Sequence, residues 1–272
     1  MTSHETAADL PELSWTKSRK LAVTAGRIGL AVLLLVAWKI GADIAGPVYA
    51  ADPVRVFERI ASDTLSGSLL HHIYVTLRLS AIGFAIGCAF GVALPFLLRR
   101  LPRLSHAVEP YIMASVGVPK YALVPLFILW FGIDDAPKLW LVGLLVFYPI
   151  FIAVFAGIRN VDRRLIAMAR VVGASEAAIS REVIWNSLLP FFFAALKIAL
   201  PRAISAAIIG EFLVGNEGLG YMIESSRQSF DTTGVFTGIV VATALVLLIN
   251  AALVAFDRRI SAWRPVEREM KV

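Results

Sequence analysis

The sequence predicts an all-α protein that crosses a membrane six times. Hydrophobic residues make up 58% of the 272-residue chain and the mean hydropathy is +0.75, too apolar for an ordinary soluble core. Six windows reach the roughly 20 apolar residues that a helix needs to cross the hydrocarbon layer. They are 27–46, 70–98, 106–131, 136–157, 188–213 and 235–256. Lys and Arg also alternate between the joining segments. One set holds Lys17, Arg19, Lys20, Arg27, Arg99, Arg100, Arg103, Arg159, Arg163, Arg164, Arg170, Arg181, Arg258, Arg259, Arg264, Arg268 and Lys271; the other holds only Arg55, Arg59, Lys138 and Arg227. Seventeen against four places both termini on the cytoplasmic side, which demands an even number of spans. The basic composition is therefore a topology signal and gives no reason to expect nucleic acid.

Residues 1–20 are polar and aperiodic and read as a flexible cytoplasmic tail, with a single six-helix membrane domain over 21–264 and a cytoplasmic C-terminal tail over 265–272. The first span has signal-peptide features, ending in Val48-Tyr49-Ala50. Lys39 and Asp43 interrupt its apolar run, however, and cleavage would leave an odd number of spans. At i,i+4 spacing these two side chains can neutralise each other. In the first outer loop, Asp52 is placed to cap a short helix starting at Pro53.

The second span carries Gly83, Gly87 and Gly91 at four-residue spacing, a stripe that lets another helix backbone approach closely. The third holds Pro119 and Pro125, each lacking a backbone donor. Broken helices at membrane depth are tolerated where they are buried in protein or line a watery cavity. Lys120 lies beside the first break, about 21 Å along a continuous helix at roughly 1.5 Å per residue. The fifth span repeats the pattern with Pro190 and Pro201 near Lys197 and Arg202.

The longest cytoplasmic loop, 160–187, reads as two amphipathic helical segments around Gly173. Membrane spans need only short connections, so a structured surface loop suggests docking. Gly173 permits a sharp turn and Ser175 can cap the second segment. Ala169, Val172, Ala174 and Ile179 offer apolar contact to a partner. An amphipathic segment lying among lipid headgroups would share this pattern.

Three stretches resemble the permease subunits of ATP-binding-cassette importers, in the nitrate, sulfonate and taurine branch. They are Val124-Pro125-Leu126-Phe127-Ile128-Leu129-Trp130-Phe131-Gly132-Ile133, the segment Glu211-Phe212-Leu213-Val214-Gly215-Asn216-Glu217-Gly218-Leu219-Gly220-Tyr221, and the loop around Gly173. The resemblance covers about Ala51 to Trp263 and implies a type I importer permease fold. The loop departs from the family's pattern, Glu-Ala-Ala, three residues, Gly, nine residues, Ile-x-Leu-Pro. Ala167 stands where the Glu is expected, and Trp185-Asn186 where the Leu-Pro is expected. Glu176-Ala177-Ala178 is out of register.

The resemblance implies a permease without enzymatic activity or bound cofactor, working with two ATPase subunits that use ATP and magnesium. It also implies a soluble substrate-binding protein, a second permease copy as a homodimer, and a bacterial inner membrane. A small anionic solute, such as a sulfonate, taurine or nitrate, is the expected cargo. Ionisable residues inside a span cost roughly 2.5–3.5 kcal/mol on insertion scales, so each needs a reason. Arg78 and Lys197 fall where the family commonly carries a base and read as structural. Lys120, Arg202 and, more weakly, Glu211 are the substrate-path candidates, with Glu211 the only deep acidic partner. An ion-gradient-driven secondary transporter is the competing class and would need deep carboxylates for coupling. His4, His71, His72 and His106 do not converge on a metal site, Cys88 stands alone, and no phosphate-binding Gly-x-x-x-x-Gly-Lys-Ser/Thr loop occurs.

Overall fold

The computed structural model describes residues 17–260, with side chains described for 22–257. The expected tails, including His4 and residues 265–272, fall largely outside that range, but Lys17–Lys20 are helical. Among the described residues every regular element is a helix.

The first compact unit ends at Arg55. Its helix α1, Lys17–Ala45, holds the first span. Lys39 Nζ donates to Asp43 at 2.8 Å, as the spacing suggested, and also to Asp52 at 2.8 Å. The indole of Trp38 donates to the Ala51 carbonyl at 3.0 Å. These bonds fix the chain where it leaves α1 through Gly46, whose φ is +81°. Asp52 accepts the Val54 amide at 2.9 Å and so caps α2, Pro53–Leu65. The Lys39 ammonium and the Val54 amide both hold the Asp52 carboxyl below its usual range.

The second unit runs from Val56 and is built around α6, Asp135–Arg159. Leu141, Val142, Val146, Ile150 and Val154 on that helix are all 0% exposed. One flank packs on α3, Ser68–Arg100, at the glycine stripe. A Cβ at Gly83 would lie 2.5 Å from Val142, and one at Gly91 would lie 2.9 Å from Ile150. At Gly87 it would overlap the Gly143 carbonyl oxygen. The other flank packs on α9, Trp185–Val214, through Ala195, Ala199, Ala203, Ala206 and Ala207, all buried. Lipid tails are as apolar as the helices, so no hydrophobic drive brings the helices together. Close van der Waals contact through small residues does it instead.

The third span is not one helix. It comprises α4, Pro102–Ser115, a tight turn over Lys120–Leu123 and α5, Val124–Phe131, bent by 94°. Pro119 cannot donate to the ladder and drives Val118 out of helical geometry. Pro125 lies in the first turn of α5, where no donor is needed, so it starts a helix and does not kink one. The depth of Lys120 along a straight helix therefore does not apply. Nor is the fifth span broken: α9 runs unbroken through Pro190 and Pro201. Counting the bent pair as one, the described chain holds six spans.

Arg159 leads from α6 into α7, Arg163–Val171, then a single turn α8, Glu176–Ala178, and a π-helical turn over Ile179–Ile184 that joins α9. At the other end of the bundle α10, Leu219–Gln228, and α11, Thr232–Ile260, close the unit. Leu69, Leu219, Met222, Val241 and Ala242 form a smaller core there.

Candidate functional site

The 160–187 loop is rigid for reasons visible in its bonds. Asp162 Oδ1 accepts the Arg164 amide at 2.8 Å and starts α7. The helix ends in a Schellman turn: Gly173 N donates to Arg170 O and Ala174 N to Ala169 O, both at 3.0 Å. Gly173 has φ +79°, a backbone conformation that side-chain-bearing residues rarely adopt. Ser175 Oγ accepts the Ala178 amide at 3.2 Å and caps the next turn. Glu176 then locks the pair. It accepts Arg170 Nε at 3.0 Å and Nη2 at 2.8 Å, and Arg99 of α3 at 3.2 Å. Out of register with the family's pattern, Glu176 is nevertheless the ionic centre of the loop. Only the folded turn brings it beside two arginines.

The apolar contact residues divide differently from the sequence expectation. Ile179 is 0% exposed and anchors the loop in the core, so it cannot offer surface. Ala169 and Ala174, joined by the outer bond of the Schellman turn, pack half-buried against the same core. Val172 is 81% exposed, and the free apolar surface extends from it to Leu165, Met168 and Val171. Those three recur about one turn apart, a spacing that is present in the sequence itself. Trp185, where the family's Leu is expected, packs between Phe96 of α3 and Phe192 of α9.

Two of the four bundle cations are paired. Arg78 meets Asp135 at 2.7 Å and Lys197 meets Asp257 at 2.7 Å. Glu211 is thus not the sole acidic partner available. Lys120 points its ammonium at the carbonyls of Val116, Val118 and Ser115, at 2.7, 3.2 and 3.4 Å, and lies 4.4 Å over the Tyr148 ring. It thereby satisfies carbonyls left open where α4 stops. Arg202 is exposed and has no hydrogen-bond or ion partner among the described residues. Neither Lys120 nor Arg202 meets a carboxylate among the described residues.

Glu211 lies elsewhere, 0% exposed. Its Oε2 accepts Thr76 Oγ1 at 2.8 Å and the Gly220 amide at 3.0 Å, and Thr76 Oγ1 accepts the Leu219 amide at 2.9 Å. Gly218, φ +100°, donates to His72 Nδ1 at 3.1 Å. A Cβ at Gly218 would overlap the Glu211 carboxylate, and one at Gly220 would overlap the Ile208 carbonyl. The carboxylate therefore faces the open amides at the start of α10, where negative charge is favoured. Its hydrogen-bond partners lie on α3 and α10, and Lys120 and Arg202 are not among them. No group of His, Cys, Asp and Glu suited to a metal occurs among the described residues.

The described chain thus combines up to six apolar spans with a stiff, partly exposed loop carried by the second unit. Comparison with known proteins makes the class definite. Residues 81–262 match the family described as binding-protein-dependent transport system inner membrane component, and the chain belongs to that family. It is 33% identical over 235 residues to the formylaminopyrimidine transport permease of Halalkalibacterium halodurans, covering 86% of this chain and 93% of that one. It is 28% identical over 255 residues to the taurine transport permease of Escherichia coli K12, covering 92% of each. A putative aliphatic sulfonates transport permease of Bacillus subtilis is 29% identical over 237 residues, 86% of each. The fold is similar to that in inward-facing structures of the MetNI methionine ABC transporter, with a TM-score of 0.61 and 20% identity over 73% of this chain and 98% of that one.

The protein is a membrane-spanning permease subunit of an ATP-binding-cassette importer, as the three sequence stretches implied, and not an enzyme; hydrolysis resides in a separate subunit. The family decides between the two transport classes left open by the sequence.

Proposed function

We propose that two copies of this chain form the path of an importer for a small anionic solute. Two ATPase subunits, using ATP and magnesium, dock on the paired 160–187 loops. A soluble binding protein delivers cargo to the opposite end, and selects it. The loop and both termini face the cytoplasm of a bacterium, in keeping with the seventeen-to-four division of cations. Closure of the ATPases draws the two loops together. Because Glu176 ties each loop to Arg99 of α3 and Ile179 anchors it in the core, that movement passes into the bundle and opens it outward; hydrolysis resets it.

The observation that carries this reading is the loop itself, stiff along its length yet exposing Leu165, Met168, Val171 and Val172. An exposed apolar patch of this kind suits contact with a protein or a membrane, and its rigid backbone favours the protein. The anionic cargo rests on Lys120 and Arg202, two cations without a carboxylate partner among the described residues, together with the sulfonate and taurine relatives. The test is a gentle detergent pull-down of tagged protein from native membranes, with mass spectrometry of what is retained. Recovery of an ATPase, lost in Met168→Asp/Val172→Asp, is expected. Reproducible absence of any ATPase from the unaltered protein would overturn the docking. Unchanged uptake by Arg202→Gln would overturn the anion path.

A further inference from the structure

Helix α7 has two faces. Leu165, Met168 and Val172 recur at i, i+3 and i+7 on the exposed apolar one. On the opposite face Arg163, Ile166, Ala167 and Arg170 recur at i, i+3, i+4 and i+7. That second face and the end of α3, Arg99 and Arg100, enclose a cleft of about 730 Å³, with Glu176 as its acidic group. Four guanidiniums against one carboxylate leave the cleft strongly positive.

The charges are not equivalent. Arg99 and Arg170 are both spent on Glu176, and Arg99 also donates to Ser180 at 3.0 Å. Arg100 on the α3 wall and Arg163 on the α7 wall are exposed and have no hydrogen-bond or ion partner among the described residues. Two free planar forks lining one cleft suit a phosphate, which each can hold with two parallel N–H bonds. Arg100 is the last residue of a membrane-spanning helix and thus lies near headgroup level. Ile166 and Ala167 line the same cleft and leave a less polar wall for glycerol or acyl carbon. Ala167, where a carboxylate would have neutralised the cleft, keeps it basic.

We propose that this cleft holds the phosphate of an anionic phospholipid from the inner leaflet, clamped between Arg100 and Arg163. Basic pockets beside spanning helices on the cytoplasmic side bind such headgroups. The inference rests on the proposed orientation, which puts α7 at the cytoplasmic surface. The bound lipid ties the α7 lever to the end of α3 on the side away from the motor contact, so coupling of hydrolysis to transport rises with anionic lipid.

The test uses the permease with its ATPase in phosphatidylcholine nanodiscs to which phosphatidylglycerol is added. Retained phosphatidylglycerol is counted by native mass spectrometry after release. Arg100→Gln/Arg163→Gln is expected to bind it on the order of thirtyfold more weakly, about fivefold for each charge. Arg181→Gln, 85% exposed on the same loop and outside the cleft, is expected to bind as the parent does. Retention of the ATPase by the double variant shows that it is folded and docked. Three results overturn the proposal: equal phosphatidylglycerol retention by parent and double variant, inorganic phosphate held in an Arg100-dependent manner with no preference for the lipid, or loss of the ATPase with lipid binding intact. The last would assign the cleft to an acidic segment of the motor. If the parent retains lipid but no ATPase, the docking reading fails and the lipid site stands.

Discussion

Substitution of Gly173 separates backbone geometry from side-chain contact in the docking loop. Its φ of +79° lies in the left-handed region, and a Cβ built there meets nothing within 4 Å. Within the chain, then, Gly173→Ala has a conformational cost and no steric one. That cost is about 1–2 kcal/mol for a residue bearing a Cβ. At about 1.4 kcal/mol per factor of ten, the equilibrium between the docking geometry and its alternatives shifts against docking by about 5- to 30-fold. Asn is larger than Ala but enters the left-handed region more readily, because its short polar side chain bonds locally. The predicted order of affinity for the ATPase is Gly, then Asn, then Ala. Biolayer interferometry of the purified permease in nanodiscs against its ATPase measures it, with size-exclusion profiles checking the fold. If Asn binds more weakly than Ala, the loss comes from bulk against the motor. Parity of Ala with Gly would show that the turn does not need the left-handed residue. Either result would refute the reasoning.

Three further outcomes follow from the same structure. Gly87→Ala, whose Cβ would overlap the Gly143 carbonyl, should destabilise the bundle by about 1–3 kcal/mol. Gly29→Ala, in open space on α1, should not, and denaturation in mixed detergent compares the two. Glu211→Leu strips the acceptor from Thr76 and Gly220 and should cost about 1–3 kcal/mol for each donor left buried. Glu211→Gln, which keeps an accepting oxygen, should cost much less, and hydrogen exchange at Leu219 and Gly220 reports the difference. The Asp52 carboxyl is held below its ordinary value of 3.8, so its contribution to the α1–α2 turn is present above that pH and lost as pH falls through the lower folded value. Exchange of the capped Val54 amide should accelerate only on that acid side, and Asp52→Asn should shrink the pH dependence.

Much of the fold was legible because membrane insertion writes itself into composition. Apolar length, the distribution of cations and the Gly83, Gly87 and Gly91 stripe depend on local chemistry alone, and all six spans lie where hydropathy put them. The proline-bearing spans were less legible. Pro119 stops a helix, Pro125 starts one and Pro201 lies inside one, since the effect of a proline depends on whether neighbouring groups satisfy the freed carbonyl. Lys120 is such a neighbour at α4, and no periodicity foretells it.

The sequence by itself determined the class: spans, loop lengths and the Glu211 to Tyr221 segment are properties of the chain read in order. Tertiary structure alone decided which side chains are free to act. Burial turned Ile179 from contact surface into anchor and placed Glu211 among Thr76 and Gly220. Pairing with distant carboxylates removed Arg78 and Lys197 from the cations available to a solute. It also drew Glu176 to Arg99 and Arg170, leaving Arg100 and Arg163 unmatched. A charge acts according to what neutralises it, and its neutralising partner can lie far away in sequence, as Glu176 lies 77 residues from Arg99.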